Sequence, residues 1–205
     1  MLCIHFPPGA RGDFLAGVLL DQIIERDNYA VRQPSNYKKI HFVEDYSFLS
    51  DSNNITIRID PNNNALNLVE IAYNNITKNK ITDPLDDIWD KIYLYIVDII
   101  NRDKLVINYK TNYDYWIDYS LLNNLQFVED LYILINKTTP DKVLLQSAIE
   151  NITKQPSLPD DYKKLSNLIE FEIKTNLLGS NTRTFTCKEF INTTNFNDFL
   201  KLSKY

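Results

Sequence analysis

MLCIHFPPGARGDFLAGVLLDQIIER, residues 1–26, decides how the rest of the chain is read. Leu2, Cys3, Ile4 and Phe6 make a brief apolar run of the length of a buried strand. Pro7, Pro8, Gly9 and Gly12 break it with turn chemistry. From Phe14 onward Leu15, Val18, Leu19 and Ile23 return at helical spacing. Two of the four glycines in the chain fall in this one loop. A strand that turns through glycines into a helix aims backbone N–H groups and a positive helix end at one point, which suits an anion.

Working outward, short strands alternate with helices. Lys38 to Val43 and Ile55 to Asp60 read as strands, the second with clean apolar–polar alternation. Asp27 to Tyr37 and Glu44 to Asn54 read as loops. Ala65, Leu68, Val69, Ala72 and Ile76 mark a helix. Asp83-Pro84 opens another, with Asp83 at the N-cap, Pro84 at the first helical position and an apolar face running from Leu85 to Ile100. Leu105-Val106-Ile107 is a candidate strand and Trp116 to Tyr119 a weaker one. Three helices follow, at Leu125–Ile135, Asp141–Lys154 and Asp160–Leu178, the last closed by Gly179. Thr182 to Cys187 reads as a final strand and Asn197 to Leu202 as a short final helix. The pattern predicts an α/β fold with a mostly parallel sheet and a helix-rich C-terminal half.

The 205 residues suit a single domain, 1–205, and the net charge of −5 argues against nucleic acid as a partner. No basic segment followed by an apolar core opens the chain, so no secretion signal is expected. The apolar stretch Ile92–Ile100 is short and contains Asp98, so no membrane span is expected. Cys3 and Cys187 read as buried free thiols of a reducing compartment, with no zinc spacing and no metal site. A cytoplasmic location follows. No Lys-Ser or Lys-Thr follows Gly12, so the loop is not a Walker A motif and ATP or GTP hydrolysis is not expected.

Ligands of open parallel sheets bind beyond the C-terminal ends of the strands. Three motifs fall there in order. Pro8-Gly9-Ala10-Arg11-Gly12-Asp13-Phe14-Leu15 follows the first strand, Lys39-Ile40-His41 lies in the second, and Arg58-Ile59-Asp60-Pro61 ends the third. Together they resemble the sulfotransferase family, including sulfotransferase-like proteins of marine phages. The resemblance covers roughly the first eighty residues. It implies a three-layer sheet of P-loop-NTPase-like, sulfotransferase-like topology. It also implies transfer of a sulfuryl group from 3′-phosphoadenosine 5′-phosphosulfate (PAPS) to a hydroxyl or amine acceptor, a small molecule or a glycan.

On this resemblance Pro8, Gly9, Ala10, Arg11, Gly12, Asp13 and Phe14 hold the donor's 5′ end. Arg58 and Asn67 grip its 3′-phosphate. His41 is the catalytic base, and Lys39 or Arg11 offsets charge on the bridging oxygen. The chain departs from the family at Gly9, where a basic residue is usual, and at Asp13, where a hydroxyl is usual. Arg58 stands one residue early, which turns a strand side chain to the opposite face unless a bulge intervenes. The alternative implied by those departures is an inactive fold of the same kind, serving as a phage virion or assembly component, in the host cytoplasm or the virion.

Overall fold

The structure is a computed structural model, and it describes residues 1–22, 36–41, 46–62, 64–78, 85–153, 160–181 and 184–192. It divides into two compact units, each built from two stretches of chain. The first is Met1–Asn62 with Val106–Ser157, the second Asn63–Leu105 with Leu158–Tyr205.

The first unit carries the sheet. β1 (Leu2–His5), β2 (Tyr37–Ile40), β3 (Ile55–Asp60) and β4 (Tyr115–Asp118) lie in the order β2-β1-β3-β4, and every pairing is parallel. The α/β expectation with a parallel sheet holds. Tyr115–Asp118, the weakest strand signal, pairs in register with β3, Ile59 opposite Ile117. The order reverses at β1, which has β2 on one side and β3 on the other, and such a reversal opens a crevice at the C-terminal strand ends.

Pleating sorts the side chains onto two faces. His5, Ile40, Arg58 and Trp116 share one register row and therefore one face. That face carries an aromatic-rich core in which Cys3, Ile40, Val106 and Tyr113 pack with Phe48 of a 3₁₀ turn at Ser47–Ser50. Ile4, Lys39 and Ile57 share the neighbouring row on the other face. There α1 (Gly12–Leu19) packs, joined by α4 (Leu125–Asn136) and α5 (Lys142–Thr153).

α1 is short for a sequence reason. Asp21 has φ 53°, its N–H bonds the Val18 carbonyl, and the Gln22 N–H bonds that of Gly17. This is a Schellman stop with a non-glycine residue in the left-handed position. Asp21 is held there by the Tyr132 hydroxyl, which donates to both carboxylate oxygens at 2.7 and 2.8 Å.

The second unit is helical: α2 (Ala65–Lys78), α3 (Leu85–Val106, in this unit through Leu105), α6 (Asp160–Lys174) and α7 (Cys187–Ile191). The Tyr162 ring packs against Tyr73 of α2 and Trp89 of α3, with centroids 4.7 and 4.5 Å away. Glu172 of α6, fully buried, accepts from the Tyr93 hydroxyl of α3 at 2.6 Å.

Three expectations need correction. Leu105-Val106-Ile107 is no strand: α3 runs through Val106, and Ile107–Asn112 forms a 3₁₀ segment. Val106, seven residues after Ile99, keeps the helical spacing of Ile92, Ile96 and Ile99 and is buried, whereas Ile107 is exposed. The closing strand at Thr182–Cys187 is replaced, over its described part, by the start of α7. Thr186 accepts the Glu189 N–H at 3.2 Å, and the Glu189 carboxylate accepts the Thr186 N–H at 2.7 Å, a reciprocal capping box. Gly179 does not close α6 either. The helix ends at Lys174, and Asn176 takes the left-handed position at φ 57°. The expected helix start at Asp83-Pro84 and the helix at Asn197–Leu202 lie outside the described residues. No described helix is long and apolar enough to cross a membrane.

Candidate functional site

The β1–α1 loop begins with a turn that its residues dictate. The Ala10 N–H donates to the Pro7 carbonyl at 3.0 Å, with Pro8 and Gly9 at the corner and Gly9 at φ 96°. Proline followed by a left-handed glycine is the chemistry of a type II turn. Arg11 then takes φ 59° and ψ 23° as the N-cap of α1. Ala10 and Gly12 keep the ordinary negative φ. The sign of φ therefore alternates over residues 9 to 12, as it does in loops that turn successive N–H groups toward an anion. The N–H groups of Gly12, Asp13 and Phe14 open α1 and have no acceptor within the helix.

Gly12 is required by packing. A Cβ there would lie 2.0 Å from Cε1 of Phe6. The Phe6 ring is the floor of the corner. His41 meets it edge to face at a centroid distance of 4.8 Å, and the Lys39 ammonium lies over it at 5.5 Å.

The structure thus brings together, on the α1 side of the sheet, the loop, Lys39 and His41. The His41 Nδ1 lies 3.0 Å from the Phe6 carbonyl oxygen. A carbonyl only accepts, so Nδ1 carries the proton and Nε2 is the ring's acceptor. Burial pushes the His41 pKa below the ordinary histidine value, and the Lys39 charge adds to this against the Phe6 hydrogen bond. A neutral imidazole with its lone pair on Nε2 is the form a general base needs.

Asp13 does not stand bare beside the loop. Its carboxylate accepts from the Tyr37 hydroxyl and, at 2.7 Å, from Lys39 Nζ. Tyr37 and Lys39 of β2, with His41 just beyond its end, alternate onto the α1 face, which explains how one chain edge serves all three. Burial, and then the hydrogen bond to Asp13, push the Tyr37 phenol well above its ordinary pKa, so it stays a donor.

Arg11 is 8 % exposed. Its guanidinium donates to the Asn123 side chain and lies 5.3 Å from the centroid of the Tyr119 ring. Both partners belong to the 3₁₀ segment Tyr119–Asn123 that follows β4.

Arg58 sits elsewhere. The β1–β3 and β3–β4 registers run without a bulge, so Arg58 shares the face of His5 and Trp116, opposite to Lys39, and is 1 % exposed. Its neighbour His5 is 2 % exposed, and its Nδ1 lies 2.5 Å from the Tyr113 hydroxyl oxygen, within hydrogen-bond distance. Burial, with the charge of Arg58, lowers the His5 pKa to about 3. Asp60, beside Pro61, accepts from the Trp116 indole at 2.7 Å and from the Asn62 N–H at 2.8 Å, which fixes the β3–β4 edge. Asn67 belongs to the second unit, in the first turn of α2, where the Asn64 side chain accepts its N–H at 3.2 Å.

Reading by motif missed Tyr37, Asn123 and Tyr119. The alternation Tyr37-Lys38-Lys39-Ile40-His41 carried a signal for the first. Nothing local marks Asn123 or Tyr119, which reach Arg11 only through the parallel sheet. Among the described residues no group of three or more His, Cys, Asp and Glu could hold a metal ion. In comparison with known proteins, no family model, no curated protein and no solved structure matches the chain.

Proposed function

We propose that the chain is a sulfotransferase-like protein that passes a sulfuryl group from PAPS to a hydroxyl or amine acceptor. The observation that carries this reading is the alternating backbone of Gly9 to Gly12 at the start of α1, with His41 and Lys39 gathered on the same Phe6 ring. That loop suits the anionic 5′ end of the donor, and the buried Arg11 adds a fixed cation beside it. PAPS supplies the sulfuryl group. His41, neutral and with its acceptor at Nε2, takes the proton of the acceptor hydroxyl or amine. Lys39 and Arg11 offset the negative charge that develops in transfer, as fixed cations do for phosphoryl groups. Arg58 is buried on the face of the sheet opposite this cluster, so the reading gives it no part in gripping the donor's 3′-phosphate.

The test is calorimetric titration of the whole chain with 3′-phosphoadenosine 5′-phosphate, the desulfonated product. Saturable binding is expected. The absence of binding at millimolar ligand overturns the reading.

A second reading, an inactive fold of this kind that serves as a binding or virion component, has its own observation. Arg11 and Lys39 already have internal partners, Asn123 and Asp13. Indifference to the ligand together with stable co-purification with virus particles would favour it.

A further inference from the structure

Lys39 and Asp13 meet at the corner where β1 passes into α1. Nζ lies 2.7 Å from Oδ2, and the two side chains are 27 % and 36 % exposed, so solvent and solutes reach the pair. The ammonium also hangs over the Phe6 ring, against whose rim Gly12 packs. Lys39 is therefore beside the loop but held by a carboxylate.

Resting on the donor-loop reading above, we propose that Asp13 is an internal competitor for Lys39: it holds the ammonium back while the loop is empty, and a multivalent anion arriving there takes the ammonium over as the pair opens. Lysine suits this transfer, being a compact charge with rotatable donors on a flexible stem. A partly exposed ion pair is weak, so little opposes its opening. An anion of two or more charges outbids a single carboxylate at similar distance.

Asp13 is also equipped to lose its partner. The Tyr37 hydroxyl donates to the same carboxylate and stays protonated. Asp13 is the second residue of α1, where the helix dipole favours a negative charge. A carboxylate that would otherwise repel the donor thus becomes a gate on the cation that recruits it.

The experiment titrates inorganic pyrophosphate into the whole chain by calorimetry at fixed ionic strength, for the wild type, Asp13→Asn, Lys39→Met and the double variant. Asp13→Asn is expected to bind roughly tenfold tighter, a typical coupling between sites. Lys39→Met is expected to bind more weakly, and the double variant no better than Lys39→Met alone. An equal gain from Asp13→Asn in the Lys39→Met background would show mere removal of repulsion and overturn the proposal. So would binding that Asp13→Asn leaves unchanged or weakens; in either case the donor-loop reading would stand. Absence of binding in all four proteins would overturn both. Should a variant fail to fold, the wild type labelled with ¹³C at aspartate decides. The Asp13 carboxyl resonance is expected to move as pyrophosphate saturates, and a resonance that stays put overturns the competition.

Discussion

His41 donates its Nδ1 proton toward the carbonyl oxygen of Phe6, 3.0 Å away, and so ties the end of β2 to the first residue after β1. The bond fixes one tautomer of one of only two histidines in the chain. In a spectrum of histidine-labelled protein both rings can therefore be followed without ambiguity. His41 is expected to show protonated Nδ1 and to titrate below the ordinary histidine value. A pKa at or above 6.5 would contradict the burial that the structure assigns to it.

His5 should contribute a distinct part of the acid limb of stability. Its folded pKa of about 3 lies below the unfolded value of 6.5. Above pH 6.5 both states are neutral there and the group contributes no pH dependence. Below it the unfolded chain takes a proton that the folded chain refuses, so stability falls with decreasing pH until about 3. At pH 5 the loss should be about 2 kcal/mol. Denaturant midpoints of wild type and His5→Gln at pH 7 and pH 5 test this. The variant should lack that slope, and parallel profiles would refute the assignment.

Gly12→Ala should be among the most damaging single-methyl changes in the first unit, because the added carbon meets the Phe6 ring at 2.0 Å. A cost of about 1–3 kcal/mol is expected from overpacking. Phe6→Leu combined with Gly12→Ala should recover part of it. Urea unfolding of the three variants checks both statements, and a harmless Gly12→Ala would mean that the ring yields.

Arg11 carries a backbone cost and a side-chain gain that glycine can separate. The left-handed N-cap at φ 59° costs an L-residue about 1–2 kcal/mol relative to glycine. Arg11→Ala loses the Asn123 and Tyr119 contacts and keeps the strain. Arg11→Gly loses the contacts and removes the strain. The glycine variant should therefore be the more stable of the two, by about 1 kcal/mol in thermal or urea unfolding. Equal stability would mean that the loop relaxes out of that conformation.

In the second unit, Thr186→Ala should cost about 1 kcal/mol, the usual value of an N-cap side chain. It should also move the Glu189 carboxyl only part of the way back toward its ordinary pKa, since the backbone N–H at 186, the larger of the two influences that hold it low, survives while the hydroxyl is lost. Carboxyl titration by NMR would show the change.

The parallel sheet was legible because Leu2–Phe6 and Ile55–Asp60 carry period-two or apolar signals, and the intervening turn residues are unmistakable. The final segment was misread because Phe185 and Cys187 look like strand residues in isolation. The reciprocal Thr186–Glu189 cap, three residues apart, outweighs that propensity. Gly179 misled in a similar way: a glycine near a helix end is a good stop, but Asn176 tolerates the left-handed position and comes first. At the site, Gly9, Gly12, Lys39 and His41 could be picked out because backbone needs and strand alternation are local. The pairing of Asp13 with Lys39 needed the β1–β2 register as well. The seat of Arg11 against Tyr119 and Asn123 joins residues far apart in sequence, and no local pattern encodes it.

The division of the chain also bears on how the protein is made. β3 ends at Asp60 and its partner β4 begins only at Tyr115, after all of α2 and α3 have been synthesised. A ribosome delivers three strands first, and the outer edge of β3 must wait, open to mispairing, while a helical segment emerges. α2 and α3 in turn wait for α6, which follows the return to the first unit. Neither unit can close before the other has begun, so a chain truncated near residue 105 should leave both incomplete. Slow, concentration-sensitive refolding is the expected signature of such interleaving.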